Sequence, residues 1–285
     1  MKKIIVPTEL NEKSENAILA AIKIANKMKM SIEVLHVIDS FDYGVNFIIN
    51  ESNPIILPPE VLDDRKDQAI LLFNQLIDKI KTNKEILPEI LLNVKTGFVL
   101  DVIEESISDP NAFMVILTDK SKADFNYRDI SSQNTKIINH SNCPVCVVPN
   151  TAPFKEPKQI IYATNFQEQD VQNIANLAHL ASAFEAIIYV VHVSANPEFE
   201  EHIKVAGLHS LIDDETGYQN IKYKTIKNDN FLLGIDNFAH EINADAIALM
   251  RENKNIFKAF FASNPTRKII YKTNLPVIVY QEVAD

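Results

Sequence analysis

The chain has 285 residues, is 46% hydrophobic and carries a formal net charge of -10, with a pI near 5.2. That length fits two domains of ordinary size. The acidic balance argues against nucleic acid and anionic membrane as partners. No apolar run reaches the ~18 residues of a membrane span. The first residues, MKKIIVPTELNEK, break at Pro7 and Glu9 before a signal-peptide core could form, so the expected location is cytoplasmic. Two cysteines build no disulfide framework. The five glycines stand at 44, 97, 207, 217 and 234. They are too scattered for GxGxxG or a P-loop, which excludes a glycine-rich nucleotide loop.

In chain order, Ile4–Pro7 reads as a short apolar strand, and Ser14 as the N-cap of a helix over about Glu15–Met28. Ile32–Ile38 is apolar on both faces, as a covered parallel strand should be. A Pro-containing connection (Asp39–Pro59) leads to an amphipathic helix over about Glu60–Thr82, with Val61, Ile70, Leu71, Phe73, Leu76, Ile77 and Ile80 expected inward. A strand at Glu89–Val94, a turn at Thr96-Gly97 and a helix at Phe98–Ser108 follow. Next come a strand at Val115–Thr118, a polar loop, a short helix near Ser132–His140 and a strand at Pro144–Val148. After a linker at Asn150–Pro157, strands at Ile160–Ala163, Ala186–Val193, Ile221–Ile226, Ala246–Met250 and Val277–Tyr280 alternate with helices at Asp170–Phe184, Pro197–Asp213, Phe231–Ile242 and about Asn264–Tyr271. This βαβ alternation predicts two doubly wound α/β domains, each a five-stranded parallel sheet with helices on both faces.

The halves repeat one another. Lys3–Glu9 (KIIVPTE) recurs as Gln159–Asn165 (QIIYATN), an offset of 156 that also carries His36-Val37 to His192-Val193. Asn142–Val147 (NCPVCV) recurs as Asn274–Val279 (NLPVIV), an offset of 132. A duplication follows, with domains at 1–150 and 156–285 and about 24 additional residues between the second and third strands of the first.

Three stretches resemble the universal stress protein family in its tandem form: Pro7-Thr8-Glu9 with Ser14–Ala17, the strand ending Leu35-His36-Val37, and His140–Val145 entering the fifth strand. The resemblance implies a Rossmann-like fold whose final strands, here Cys143–Val148 and Leu275–Tyr280, lie against each other as an intramolecular pair. The family's ATP-binding branch has G-x2-G-x9-G-[ST] in the fourth loop and helix. Aligned without gaps, those positions are Thr118, Ser121, Ser131 and Ser132 in the first half, and Met250, Asn253, Ser263 and Asn264 in the second. All the glycines are gone, and only the Ser132 hydroxyl survives. The acidic residue that faces the ribose in binders is Glu9 in one half and Asn165 in the other. Each missing glycine adds a Cβ where phosphate would approach backbone. Lys120 and Lys122 add positive charge to the first loop, and Asp119 and Asp124 oppose it.

The candidate ligand-binding residues are therefore Pro7, Thr8, Glu9, Thr118, Ser121, Ser131 and Ser132, with no catalytic or metal set. Cys143-x-x-Cys146 enters a strand rather than a helix, so it reads as core, not as a redox pair. His36 and His192 sit at equivalent strand ends and are expected to make a shared backbone hydrogen bond. In Glu198–His209, Glu198 and His202 have ligand spacing, but His202 and His209 are about 10 Å apart along a helix. A solvated face is the expectation there. Ile256, Phe257, Phe260 and Phe261 are expected to plug or pack over the second crevice. The expected function is a non-enzymatic stress-response protein that binds, without a cofactor, a small-molecule or protein partner, a homodimer included. Two alternatives stand: an ATP- or AMP-binding sensor, or very slow ATPase, working through the first-half crevice; and a small-ligand sensor whose crevice is covered by the 39–81 connection.

Overall fold

The computed structural model describes residues 1–39, 58–82, 86–118, 130–150, 152–197, 199–250 and 275–281. The long connection at 40–57 and the loop and helix expected within 251–274 lie outside the described residues. Two compact units emerge, Met1–Thr118 and Asp119–Asp285.

In the first unit, β1 (Lys3–Pro7), β2 (Ser31–Asp39), β3 (Ile90–Gly97) and β4 (Ala112–Thr118) are parallel and lie in the order β3-β2-β1-β4. The helices α1 (Glu15–Met28), α2 (Pro59–Thr82) and α3 (Val99–Ile107) connect them. The second unit opens with α4 (Ile130–His140) and β5 (Val145–Val148). It continues with β6 (Gln159–Ala163), α5 (Gln169–Phe184), β7 (Ile187–Ser194), α6 (Phe199–Glu215), β8 (Ile221–Lys227), α7 (Phe231–Ile242), β9 (Ala246–Met250) and β10 (Val277–Tyr280). Its strand order is β5-β10-β9-β6-β7-β8, parallel from β10 to β8. Strand β5 runs antiparallel to β10, with Val147 opposite Val277 and Val145 opposite Val279. Every residue of both strands is buried. Each is too apolar to be left at a wet sheet edge.

The repeat is geometric as well as sequential. Helix α1 ends on Lys29 at φ 55 and α5 on Glu185 at φ 54. In both places the next N–H returns to an alanine carbonyl, Met30 to Ala25 and Ala186 to Ala181.

Three local expectations need correction. Ser14 makes no capping bond to α1. A 3₁₀ turn at Glu12–Ser14 precedes the helix, and Asn11 caps that turn by accepting from Lys13 N–H. Ile70 and Leu71 of α2 are 46% and 57% exposed. The buried stripe runs instead through Ala69, Leu76, Ile77 and Ile80, and Ile70 and Leu71 fall off it by helical rotation. Strand β3 extends to Gly97, whose φ of +152° and Val102 neighbour, 2.9 Å from a built Cβ, both require glycine. Among the described residues, no helix is long and apolar enough to cross a membrane.

The N-terminal end of the first sheet is tied electrostatically. Lys3 Nζ lies 2.6 Å from Glu33 and 2.7 Å from Asp109, and Asn93 donates to the other Glu33 oxygen. In the repeat, Gln159 and Tyr189 occupy the positions of Lys3 and Glu33, joined by a neutral hydrogen bond of 3.0 Å. The Lys3 hydrogen bond, with one from Asn111 N–H, lowers the Asp109 carboxyl to about 2. A depressed carboxyl stabilises the fold above its ordinary pKa and loses that contribution as pH falls. Stability of the wild type is therefore expected to decline between about pH 4 and pH 2 partly through this pair. Urea titrations across that range should show a smaller acid-dependent loss in Lys3→Met than in wild type.

Candidate functional site

In both units the central strand ends in the same knot. The first-unit order puts β1 between β2 and β4, where the chain reverses its winding and leaves a crevice beyond the strand ends. Ile5 lies opposite Val115, so Thr8 and Thr118, three residues further on, reach the same level. Thr8 N–H donates to the Leu35 carbonyl at 2.9 Å. Its Oγ1 accepts from Leu10 N–H at 3.0 Å. His36 Nδ1 donates to its carbonyl at 3.0 Å, which leaves Nε2 as the acceptor in the neutral ring. Leu10 takes φ 55 and is buried. Glu9 is exposed and accepts from Asn11 Nδ2 at 3.0 Å.

Thr164, Phe166 and His192 reproduce this knot. Thr164 N–H bonds Val191, Phe166 N–H bonds Thr164 Oγ1, and His192 Nδ1 bonds the Thr164 carbonyl at 3.1 Å. The backbone hydrogen bond expected of the two histidines is present in both places.

The side chains around the two knots differ. Asp170, at the position of Ser14, is 1% exposed. It accepts from Tyr162 Oη at 2.7 Å, Thr164 Oγ1 at 2.6 Å and Gln167 N–H at 3.0 Å. Burial and the adjacent carboxylate push the Tyr162 phenol well above its usual range. Phe166 lies against His192, ring centroids 4.3 Å apart. Glu201 of α6 turns inward, accepting from Ser194 Oγ at 2.8 Å with Oε1 3.8 Å from His192 Nε2. The second crevice thus spends its hydroxyls on itself and presents a carboxylate and a phenyl ring. In the first, residue 14 is Ser, and it bonds Asn11 rather than Thr8.

The first unit therefore brings together Pro7, Thr8, Glu9 and Thr118. Ser131 and Ser132 fall in the first turn of α4, two residues nearer the N-terminus than the expected start allowed. Their side chains, and all of Ser121, Lys120 and Lys122, lie outside the described residues. So do Glu198, Asn253, Ser263, Asn264 and the Ile256–Phe261 cluster. His202 is exposed, and its neighbour Glu201 is the residue that turns in. The sequence marked Glu201 only as part of a polar run, since an inward carboxylate on a polar helix has no periodic signature. Asp170 looked like an ordinary helix-start residue for the same reason. Among the described residues, no group of three or more His, Cys, Asp or Glu could hold a metal. Cys143 and Cys146 form no disulfide and are buried, and burial pushes the Cys146 thiol up to about 12, the reverse of a redox thiolate.

Replacing Asp170 by Ala strips partners from two buried hydroxyls. It should cost about 3 kcal/mol or more in urea unfolding, whereas Ser14→Ala at the equivalent position should cost under about 1 kcal/mol. Iodoacetamide should leave Cys146 unmodified in the native protein and alkylate it in denaturant, as read by mass spectrometry.

A sequence model described as the Universal stress protein family matches residues 1–149. No curated protein matches the chain. Among solved structures, a universal stress protein from Archaeoglobus fulgidus DSM 4304 is similar over 98% of this chain and 96% of its own, with 16% identity and a TM-score of 0.66. A putative universal stress protein from Pseudomonas aeruginosa UCBPP-PA14 is similar over 99% and 93%, with 12% identity and a TM-score of 0.53. The cytoplasmic domain of a prokaryotic cation chloride cotransporter is similar over 98% and 94%, with 10% identity and a TM-score of 0.50. At such identities these likenesses show the fold. With its opening half matched by the family model, the chain belongs to the universal stress protein family.

Proposed function

We propose that this protein is a tandem, two-repeat stress-response protein that acts by binding rather than by catalysis, with its ligand crevice in the first repeat. One observation carries the reading. The two strand-end knots are the same in backbone, but the second closes its hydroxyls onto Asp170 and covers His192 with Phe166 and Glu201. A carboxylate at the mouth repels an anionic ligand, and a hydroxyl donating to a buried carboxylate has no donor left for one. At the Thr8 knot, among the described residues, the hydroxyl donates to no buried carboxylate, and the carboxylate at that strand end, Glu9, is exposed to solvent and accepts from Asn11 Nδ2. Its ligand would meet Thr8, Glu9 and Thr118 at the sheet end.

The binding reading is supported by what the described residues hold at this strand end, a threonine pair and one exposed carboxylate, with no base aligned on a nucleophile among them. Adenine nucleotides are the ligands to test first, because the family resemblance retains the Ser132 hydroxyl although every glycine of the binding motif is replaced. Each lost glycine weakens close phosphate approach. Calorimetric titration with ATP, ADP and AMP should therefore show no micromolar binding, and phosphate release should not exceed the rate without protein. Micromolar ATP affinity abolished by Ser132→Ala would instead establish the nucleotide-sensor reading.

A further inference from the structure

We propose that β3 is a homotypic docking edge, through which two copies of this chain join their sheets antiparallel about a two-fold axis. Strand β3 is the outermost strand of its unit. Ile32 N–H donates to the Glu89 carbonyl, and the register with β2 runs unbroken from Ile90 to Gly97. In a parallel ladder alternate residues face the neighbour. Leu91, Asn93 and Lys95 therefore bond β2, while Ile90, Leu92, Val94 and Thr96 turn their N–H and C=O groups away from the sheet. Among the described residues these outward groups have no partner.

Natural sheets protect such edges with lysines, proline or bulges. The corresponding strand of the second unit, β8, follows that rule, with Lys222, Lys224 and Lys227 all exposed. Strand β3 does not. It has no proline and no bulge, and its one lysine, Lys95, is tied to Glu105 and Ser106 at 3.3 Å. Leu91 is 57% exposed on the strand, with Phe98 49% exposed just beyond it.

A second copy is the occupant because β3 is self-complementary. With Asn93 on the axis, Ile90 pairs with Thr96 of the other copy and Leu92 with Val94. Every outward N–H and C=O is then satisfied, in about eight hydrogen bonds. Leu91 faces the stem of Lys95, so no like charges meet. The same operation on β8 would set Lys224 against Lys224. An isologous strand pair closes as a dimer and leaves no further edge at that end.

The test is sedimentation of the full chain from micromolar to millimolar concentration, combined with amide hydrogen exchange. The proposal expects a monomer–dimer equilibrium, with exchange at Leu92, Val94 and Thr96 slowing at least tenfold as dimer forms and exchange at Tyr223 and Thr225 unchanged. Leu91→Lys sets a lysine opposite Lys95 without touching the core, and should leave a folded monomer with wild-type melting. Val94→Pro removes one outward donor and no bond to β2, and should do the same. A monomer throughout, a dimer whose β3 amides exchange as in the monomer, or a Leu91→Lys protein that dimerises like wild type would each overturn it.

Discussion

A parallel strand buried on both faces must end somewhere, and its last polar groups must be satisfied there. In this protein one device meets that constraint twice. A threonine at the strand end gives its N–H to the adjacent strand, its carbonyl to a histidine Nδ1 and its hydroxyl to the N–H of a left-handed residue two positions on. Unsatisfied, each buried group would cost about 1–3 kcal/mol. The knot also leaves the next residues, Glu9 or Asn165, exposed at the strand end. The proposed ligand site would be a by-product of terminating the strand.

Because the knot is structural, it persists while its surroundings diverge. Residue 14 is Ser in one repeat and the equivalent residue 170 is Asp in the other. That change draws Tyr162 and Thr164 into a buried network that the first repeat lacks. The N-terminal end of the sheet diverges the other way: charged at Lys3, Glu33 and Asp109, neutral at Gln159 and Tyr189. The same strand-end backbone therefore carries two different sets of polar partners.

Much of this was legible in sequence. All ten described strands lie close to the positions read from the sequence: buried apolar runs mark the inner ones, while β3 and β8 have no buried residue. The 156-residue offset placed His36 and His192 at equivalent ends, and the shared backbone bond follows. The core role of Cys146 follows from strand periodicity. Other features were not legible. Ser14 looked like a helix cap, but a 3₁₀ turn displaced it and Asn11 took the role. Ile70 and Leu71 looked inward by hydrophobicity, yet the contact stripe of α2 is centred on Ala69, Leu76, Ile77 and Ile80. Glu201 looked like a solvated residue and turns toward His192 instead.

The sequence by itself determined the repeat, the alternation of strands and helices, and the loss of the glycine cradle. Each is written in local spacing and composition, which the chain carries before it folds. The tertiary structure alone decided which polar side chains meet. Asp170 reaches Tyr162 across the β6–α5 turn, Glu201 reaches Ser194 and His192 from a helix, and β5 from one repeat lies against β10 from the other. Those contacts join residues from separate elements, so their partners are fixed by the packing of helices on sheets and not by any period along the chain.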